Sequence, residues 1–212
     1  MTLVLAALIA APAVARGDAD EASIDGEASG GLVQLRDPAA PGAFASAGFI
    51  GAGLRFTWGG SHNWLAWQAD SYAGAVSASE QMTADAVPLR FRRGAVVAGL
   101  DAGATLRFGE PFGYAVVPTF TVAAGAQLRH FGSAPQFRAD MPGQSAGAVA
   151  SATEIDPAIR LAAGLDFRLG RHWLAGVRAD VRQSAGLSGH AARAFTLTFR
   201  ASFLWYPRWR TF

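Results

Sequence analysis

The segment from residue 160 to residue 181, RLAAGLDFRLGRHWLAGVRADV, alternates between apolar and polar or small side chains. Leucine, alanine and phenylalanine occupy the odd-numbered positions, which form one parity of the strand. Arginine, glycine and aspartate occupy most of the even-numbered positions, which form the other parity. The same period resumes at Trp173 after the short sequence GRH at 170–172. A period of two residues is that of a β-strand with one apolar and one polar face. The segment therefore predicts two β-strands joined in a hairpin.

Similar alternation recurs along most of the chain. Besides the hairpin, it predicts strands at 44–59, 64–77, 93–108, 112–130 and 194–206. Short glycine-led turns at 60–63, 109–111 and 170–172 alternate with longer loops at 78–92, 131–154 and 185–193. Short turns on one side and long loops on the other are typical of bacterial outer-membrane barrels. Such barrels have an even number of strands, so an eighth is expected before residue 44, and GGLVQLR at 30–36 is its candidate.

Composition limits the classes of function. The 212 residues fit one domain, and no cysteine is present, which excludes disulfides, thiolate metal sites and cysteine nucleophiles. The formal charge of +2 gives no argument for nucleic-acid binding. No later segment has 18 consecutive apolar residues, so no transmembrane helix is expected. A mean hydropathy of +0.20 is high for an exported protein without such a helix.

The N-terminus has the pattern of an export signal. MTLVLAALIAAPAVA is apolar and ends in the small-x-small sequence Ala13-Val14-Ala15. We therefore expect a signal peptide at 1–15, an acidic periplasmic segment at 16–29, a barrel at 30–206 and a short C-terminal tail at 207–212.

Orientation follows from where the aromatic and charged residues fall. Aromatic residues of the apolar parity collect at the short-turn ends, as expected of a girdle at a membrane interface: Trp58, Trp67, Phe108, Tyr114, Phe167, Trp173, Phe203 and Trp205. An arginine facing lipid near the midplane costs about 2 to 4 kcal/mol, and the eight arginines of the polar parity together would exceed the stability of an ordinary domain, about 5 to 15 kcal/mol. In a bilayer the polar parity must therefore face the lumen, where arginine and aspartate can pair. The predicted lumen network is Arg55, Asp70, Asp101, Arg107, Arg129, Asp156, Arg160, Asp166, Arg168, Arg178, Asp180, Arg182 and Arg200.

In this pattern the chain resembles the small eight-stranded outer-membrane β-barrels, the class that includes the OmpA transmembrane domain and the opacity-type proteins. The resemblance covers residues 30–206 and rests on architecture without a diagnostic motif. It implies an all-β, antiparallel, up-and-down transmembrane barrel in a bacterial outer membrane. It also implies contact with the assembly machinery, which reads an aromatic C-terminus; here Phe212 is terminal but Pro207 interrupts the alternation.

Candidates for chemistry are few. Lipid A deacylases are also small barrels with a nearby histidine and serine, and His130, Ser133 and Glu154 are the corresponding candidates, although the His–Ser spacing is three where that family has two. The simpler interpretation is that His130 ends a strand and Ser133 begins a loop. The four histidines have no metal-ligand spacing, so we expect neither a metal nor another cofactor.

Two further features concern partners. Arg90, Arg92 and Arg93 cluster at a loop end, where arginine could bind lipopolysaccharide phosphates. Eight strands enclose a lumen just wide enough for side chains to fill, which favours a plugged barrel over a narrow pore. The sequence thus predicts a monomeric, non-enzymatic scaffold that presents loops outside the cell, with an envelope-stabilising or adhesive role. A lipid A-modifying enzyme, a narrow pore and a soluble ligand-carrying barrel are the alternatives.

Overall fold

The computed structural model describes residues 21–40, 44–59, 64–83, 87–108, 116–141, 143–170, 172–186 and 190–205. They form ten strands: β1 (Glu21–Arg36), β2 (Phe44–Gly59), β3 (Leu65–Met82), β4 (Leu89–Arg107), β5 (Val116–Phe131), β6 (Ala134–Arg138), β7 (Ser145–Val149), β8 (Ala152–Arg168), β9 (Trp173–Ser184) and β10 (Ala192–Trp205). Among these residues there is no helix long and apolar enough to span a membrane. The signal peptide, Tyr114 and the C-terminal tail lie outside the described residues.

Eight long strands close into an antiparallel barrel. Around the wall the order is β1, β2, β3, β4, β5, β8, β9 and β10, and β10 pairs with β1 to complete it. The predicted all-β, eight-stranded, up-and-down barrel is confirmed. The end that carries the turns after β2, β4 and β8 is called here the short-turn end, and the opposite end the loop end.

The stagger of the strands can be read from the hydrogen-bonded register. One row of paired residues runs round the barrel through Ile24, Phe56, Ala69, Ala102, Ala124, Ile159, Gln183, Arg193 and Gln34. The row starts and ends on β1, and Gln34 lies ten residues after Ile24, so the shear number is ten. Eight strands with this shear tilt by about 40° from the barrel axis.

The first strand differs from its prediction. β1 begins at Glu21, nine residues before the predicted start, so residues 21–29 belong to the wall and are not a periplasmic segment. The alternation continues through them, because Ile24 faces outward while Ser23 and Asp25 are buried. Acidic composition suggested a solvated segment, but the carboxylates of Asp25 and Glu27 face the lumen and bind arginine.

Two predicted loops contain more structure than the sequence indicated. β3 and β4 extend to Met82 and from Leu89, which shortens the predicted loop at 78–92. Inside the predicted loop at 131–154, β6 and β7 form a hairpin. The hairpin also pairs with the barrel wall, since Gln136–Arg138 of β6 lie beside Leu89–Phe91 of β4. The sheet of the wall is thus continued beyond the barrel at the loop end.

The predicted orientation of the two faces is confirmed. Arg160, Asp166 and Arg178 are buried in the lumen, whereas Leu165 is 40% exposed on the outside. On β10 the outward apolar positions lie between Arg193 and Phe203, ten residues apart. At the strand tilt this spans about 25 Å, which is the height of the apolar band of an outer-membrane barrel.

Near the loop end the two faces exchange character. Gln34 and Arg92 are exposed on the outside, while the adjacent Leu35 and Phe91 are buried inside. A cluster called here the apolar layer fills this part of the lumen: Val33, Leu35, Ala47, Phe49, Val76, Ala95, Val97, Phe131 and Ala192. Beside the lower part of this layer the outer face is still apolar, at Leu32 and Val96, so the outside becomes polar only above these residues.

Candidate functional site

The middle of the lumen holds a network of ion pairs, called here the charge layer. Its members are Asp25, Glu27, Arg55, Asp70, Asp101, Arg160, Asp166, Arg178, Asp180, Arg182 and Arg200. Five arginines face six carboxylates, and most members are less than a tenth exposed. Buried charges require such pairing, because an isolated one is strongly destabilising.

Asp70 of β3 lies at the centre of the charge layer. Arg55 Nε donates to its Oδ1 at 2.8 Å, and Arg160 donates to its Oδ2 from across the lumen. A polar chain continues from it toward the short-turn end. Gln68 Nε2 donates to Asp70 Oδ2 at 2.7 Å, and Thr105 Oγ1 donates to Gln68 Oε1 at 2.7 Å.

The other arginines join strands that are far apart in the sequence. Arg200 of β10 donates to Asp25 of β1 at 3.0 Å and also pairs with Asp166. Arg178 lies 2.7 Å from Asp180 and 3.2 Å from Glu27. The charge layer therefore connects both sides of the seam where the first and last strands meet.

All thirteen residues of the predicted lumen network are on the inward parity. Arg107 and Arg168 are half-buried near the short-turn end. The sequence prediction missed Asp25 and Glu27, because it placed them outside the barrel. Extending the parity of GGLVQLR backwards would have found them, since both fall on the parity of Gly31 and Val33.

A second cluster lies nearer the loop end, around Arg129. Arg129 pairs with Asp156 and lies 3.2 Å from Glu154, and its guanidinium also donates to the carbonyl of His190. The His190 ring binds Glu154 through Nδ1 at 2.6 Å. Arg129 is fully buried, so this cluster attaches the loop after β9 to the inside of the barrel.

Arg93 is not at the surface, and its prediction as a lipopolysaccharide contact is wrong. The side chain is buried inside the loop end, where Nε donates to Asp37 Oδ2 at 2.7 Å. Its Nη1 donates to the carbonyls of Gly132 and Ala150 at 3.0 and 2.8 Å. Successive side chains of β4 point alternately outward and inward, so Arg90 and Arg92 point outward while Arg93 points inward.

The predicted catalytic group does not assemble. His130 of β5 is exposed on the outside, where Nδ1 lies 2.8 Å from Thr153 Oγ1. Glu154 is inward and bound to Arg129 and His190, so the barrel wall separates it from His130. Ser133 is exposed in the segment that follows β5. A nucleophile needs a base within hydrogen-bond reach and a third group to orient that base, and these three residues do not form that arrangement.

The described part of the predicted aromatic girdle faces outward at the short-turn end. Phe108, Trp173 and Phe203 are 58%, 57% and 46% exposed. The rings of Trp173 and Phe203 meet edge to face with centroids 5.5 Å apart. Trp58, Trp67 and Phe167 share this end, whereas Tyr114 and the side chain of Trp205 lie outside the described residues.

Outside the barrel, the β6–β7 hairpin carries one local ion pair. Arg138 Nε donates to Asp140 Oδ1 at 3.0 Å, and the hydrogen bond and charge of Arg138 lower the pKa of the Asp140 carboxyl. No group of three potential metal ligands occurs among the described residues. The hairpin is stabilised by its pairing with β4 and exposes charged and apolar side chains together, including Asp140 and Phe137.

Comparison with known proteins supports the fold. No protein-family model and no curated protein matches the chain. Among solved structures, Ail, the attachment invasion locus protein of Yersinia pestis, superposes with a TM-score of 0.51 at 14% identity, over 88% of this chain and 99% of Ail. Neisserial surface protein A gives 0.50 at 9% identity, over 84% of this chain and 95% of its own. The outer membrane enzyme PagL gives 0.50 at 18% identity, over 83% and 97%.

The chain has the fold of the small eight-stranded outer-membrane β-barrels. At these identities the likeness establishes the fold alone, and members of this fold include both an enzyme and surface proteins. What distinguishes this outer-membrane barrel must be argued from its own residues. Two features stand out. Charged side chains fill the middle of the lumen and apolar side chains fill it near the loop end, and the sheet of the wall continues beyond the barrel.

Proposed function

We propose that the protein is an integral outer-membrane scaffold that holds the β6–β7 hairpin and its neighbouring loops outside the cell, without catalysis or conduction. The observation that carries this proposal is the filled loop end of the lumen. The apolar layer, the Arg129 cluster and the Arg93–Asp37 pair occupy it together. Side chains therefore fill the described part of the lumen at this end, which favours a rigid scaffold over a water-filled channel.

The contacts of Arg93 support a presenting role. One guanidinium binds the loop after β1 through Asp37 and both ends of the segment that contains the hairpin, through Gly132 and Ala150. The rings of Phe91 and Phe131 lie 5.6 and 5.2 Å from it. The base of the external structure is thus fixed to the barrel, which favours display of the hairpin in one orientation.

Surface labelling tests the proposal, and the absence of cysteine in the native chain makes it simple. In intact cells, a membrane-impermeant maleimide should label Asp140→Cys in the hairpin. Leu169→Cys, exposed at the short-turn end, should be labelled only after the outer membrane is permeabilised. Labelling of both variants, or of Leu169→Cys alone, in intact cells would contradict the proposed placement.

An enzymatic role is not part of the proposal. Its test is direct: purified protein incubated with lipid A should release no fatty acid, and His130→Ala should change nothing. Fatty-acid release that His130→Ala abolishes would replace the scaffold with the enzyme alternative.

A further inference from the structure

A groove runs down the outside of the barrel across β3, β4, β5 and β8. Its volume is about 370 Å³, and its lining is almost entirely apolar. Ala98, Gly99 and Ala126 form the floor because their side chains are small or absent, and Leu100, Leu128 and Ile155 form the higher sides. The groove lies on the face that meets hydrocarbon, so the molecule that fits it is an acyl chain.

Polar groups lie above this groove on the same face. His130 follows Leu128 by two residues on β5, and its hydrogen bond to Thr153 places a polar pair between β5 and β8. On β4, Arg92 and Arg90 point outward beyond the apolar positions. Arg92 Nε donates to the Ala78 carbonyl at 3.3 Å, and the guanidinium carries four further N–H donors. Glu80 is the cross-strand partner of Arg92, but its carboxylate pairs with Arg90 at 3.8 Å, so the Arg92 guanidinium is the better anion ligand of the two.

The spacing fits one lipid molecule. Arg92 lies six residues from Ala98 on the same strand, or about 20 Å along it. The strand tilt of about 40° divides this into about 15 Å along the membrane normal, half the hydrocarbon thickness of a bilayer, and about 13 Å around the barrel, so a lipid that reaches both places lies along β4. A headgroup phosphate at Arg92 would therefore be joined to an acyl chain that reaches the floor of the groove. His130 and Thr153 lie at an intermediate height, where ester and hydroxyl groups occur.

We propose that this groove binds one acyl chain of an outer-leaflet lipid whose phosphate is bound by Arg92 and whose ester region contacts His130 and Thr153. The site deepens the proposed scaffold function without depending on surface display.

Native mass spectrometry of the full chain in detergent micelles tests the site. Dimyristoyl phosphatidic acid is the probe, with dimyristoyl phosphatidylcholine and inorganic phosphate as comparison ligands. The wild-type protein should retain one phosphatidic acid at a concentration about tenfold lower than Arg92→Gln requires, since charge-assisted bonds to phosphate are lost. Phosphatidylcholine should be retained more weakly, and inorganic phosphate should not displace the lipid.

Groove-filling variants separate a site from general detergent or lipid contact. Ala98→Leu and Ala126→Leu should each weaken retention several-fold. Ala28→Leu, an outward alanine on the opposite wall, should behave as wild type. Equal retention by all variants would overturn the proposal, and so would displacement of the lipid by inorganic phosphate. A groove variant that fails to fold would be recognised by its circular dichroism, and Arg92→Gln, an exposed change, then carries the test.

Discussion

Arg93 and Asp37 form a buried ion pair between the start of β4 and the loop after β1, 56 residues apart in the chain. Asp37 is fully buried and also accepts a hydrogen bond from the amide of Ala39 at 2.8 Å. The pair lies beyond the apolar layer, at the top of the lumen. It therefore determines how the external segments are attached to the barrel.

Removing one partner of this pair should be strongly destabilising. Arg93→Met leaves the Asp37 carboxylate buried without its cation and should lower the free energy of unfolding by about 3 to 5 kcal/mol. Urea unfolding of the protein from phospholipid vesicles measures this. Arg92→Met, one residue away but exposed, should cost less than about 1 kcal/mol. If Arg93→Met and Asp37→Asn have additive effects in a double-mutant cycle, the two side chains do not interact as described.

Depth in the membrane should govern the cost of a charge on the outer face. Leu161 lies within β8 and Leu169 directly follows it. Both side chains point outward and are 45% and 68% exposed. Leu161→Arg, near the middle of the apolar band, should cost about 2 to 4 kcal/mol, and Leu169→Arg, at the short-turn end, about 0 to 1 kcal/mol. The same unfolding measurement compares them. Equal costs would mean that the apolar band does not meet hydrocarbon as inferred.

Gly99 should be intolerant of a side chain. A Cβ on Gly99 would lie 2.5 Å from Cε1 of the Tyr72 ring, on the neighbouring strand. Overpacking of this kind costs about 1 to 3 kcal/mol, so Gly99→Ala should lower the unfolding free energy by that amount. Gly26→Ala is the matched control, since a Cβ there meets nothing within 4 Å. Combining Gly99→Ala with Tyr72→Leu should recover part of the loss, and no recovery would assign the cost to another contact.

The filled lumen should not conduct ions. Planar-bilayer recordings of the reconstituted protein should show no discrete current steps, because side chains of the charge layer and the apolar layer fill the described part of the lumen. The amount of protein in the vesicles is measured before they are fused with the bilayer, to show that the protein is present. Reproducible unitary steps that scale with protein content would revive the narrow pore.

Strand positions were predictable where the alternation persists, and β2 begins and ends where the pattern places it. A two-residue period is a local property, so sequence alone reveals it. The loop end was harder because the faces exchange there. In GGLVQLR, Leu32 is outward but Val33 and Leu35 are inward, so apolar residues occur on both parities. Polarity then no longer identifies the inner face.

The candidate sites show the same limit. Which arginines face the lumen followed from parity, but which carboxylate each one binds depends on closure of the sheet. Arg160 binds Asp70 from 90 residues away, across the lumen. Arg90, Arg92 and Arg93 formed one cluster in the sequence, and the pleat of β4 divides them between two environments. The groove floored by Ala98 and Ala126 combines side chains from four strands, which no local pattern brings together.

The pair of Arg200 and Asp25 joins residues 175 positions apart and bridges the last strand to the first. In an open sheet Arg200 can still pair with Asp166 and Asp25 with Arg55, but the ion pair that joins the first strand to the last is missing. Each step toward insertion short of closure therefore carries an electrostatic penalty that the final pairing removes at once. Assembly intermediates of this protein should be short-lived, and the transition into the membrane should be cooperative from the first strand to the last.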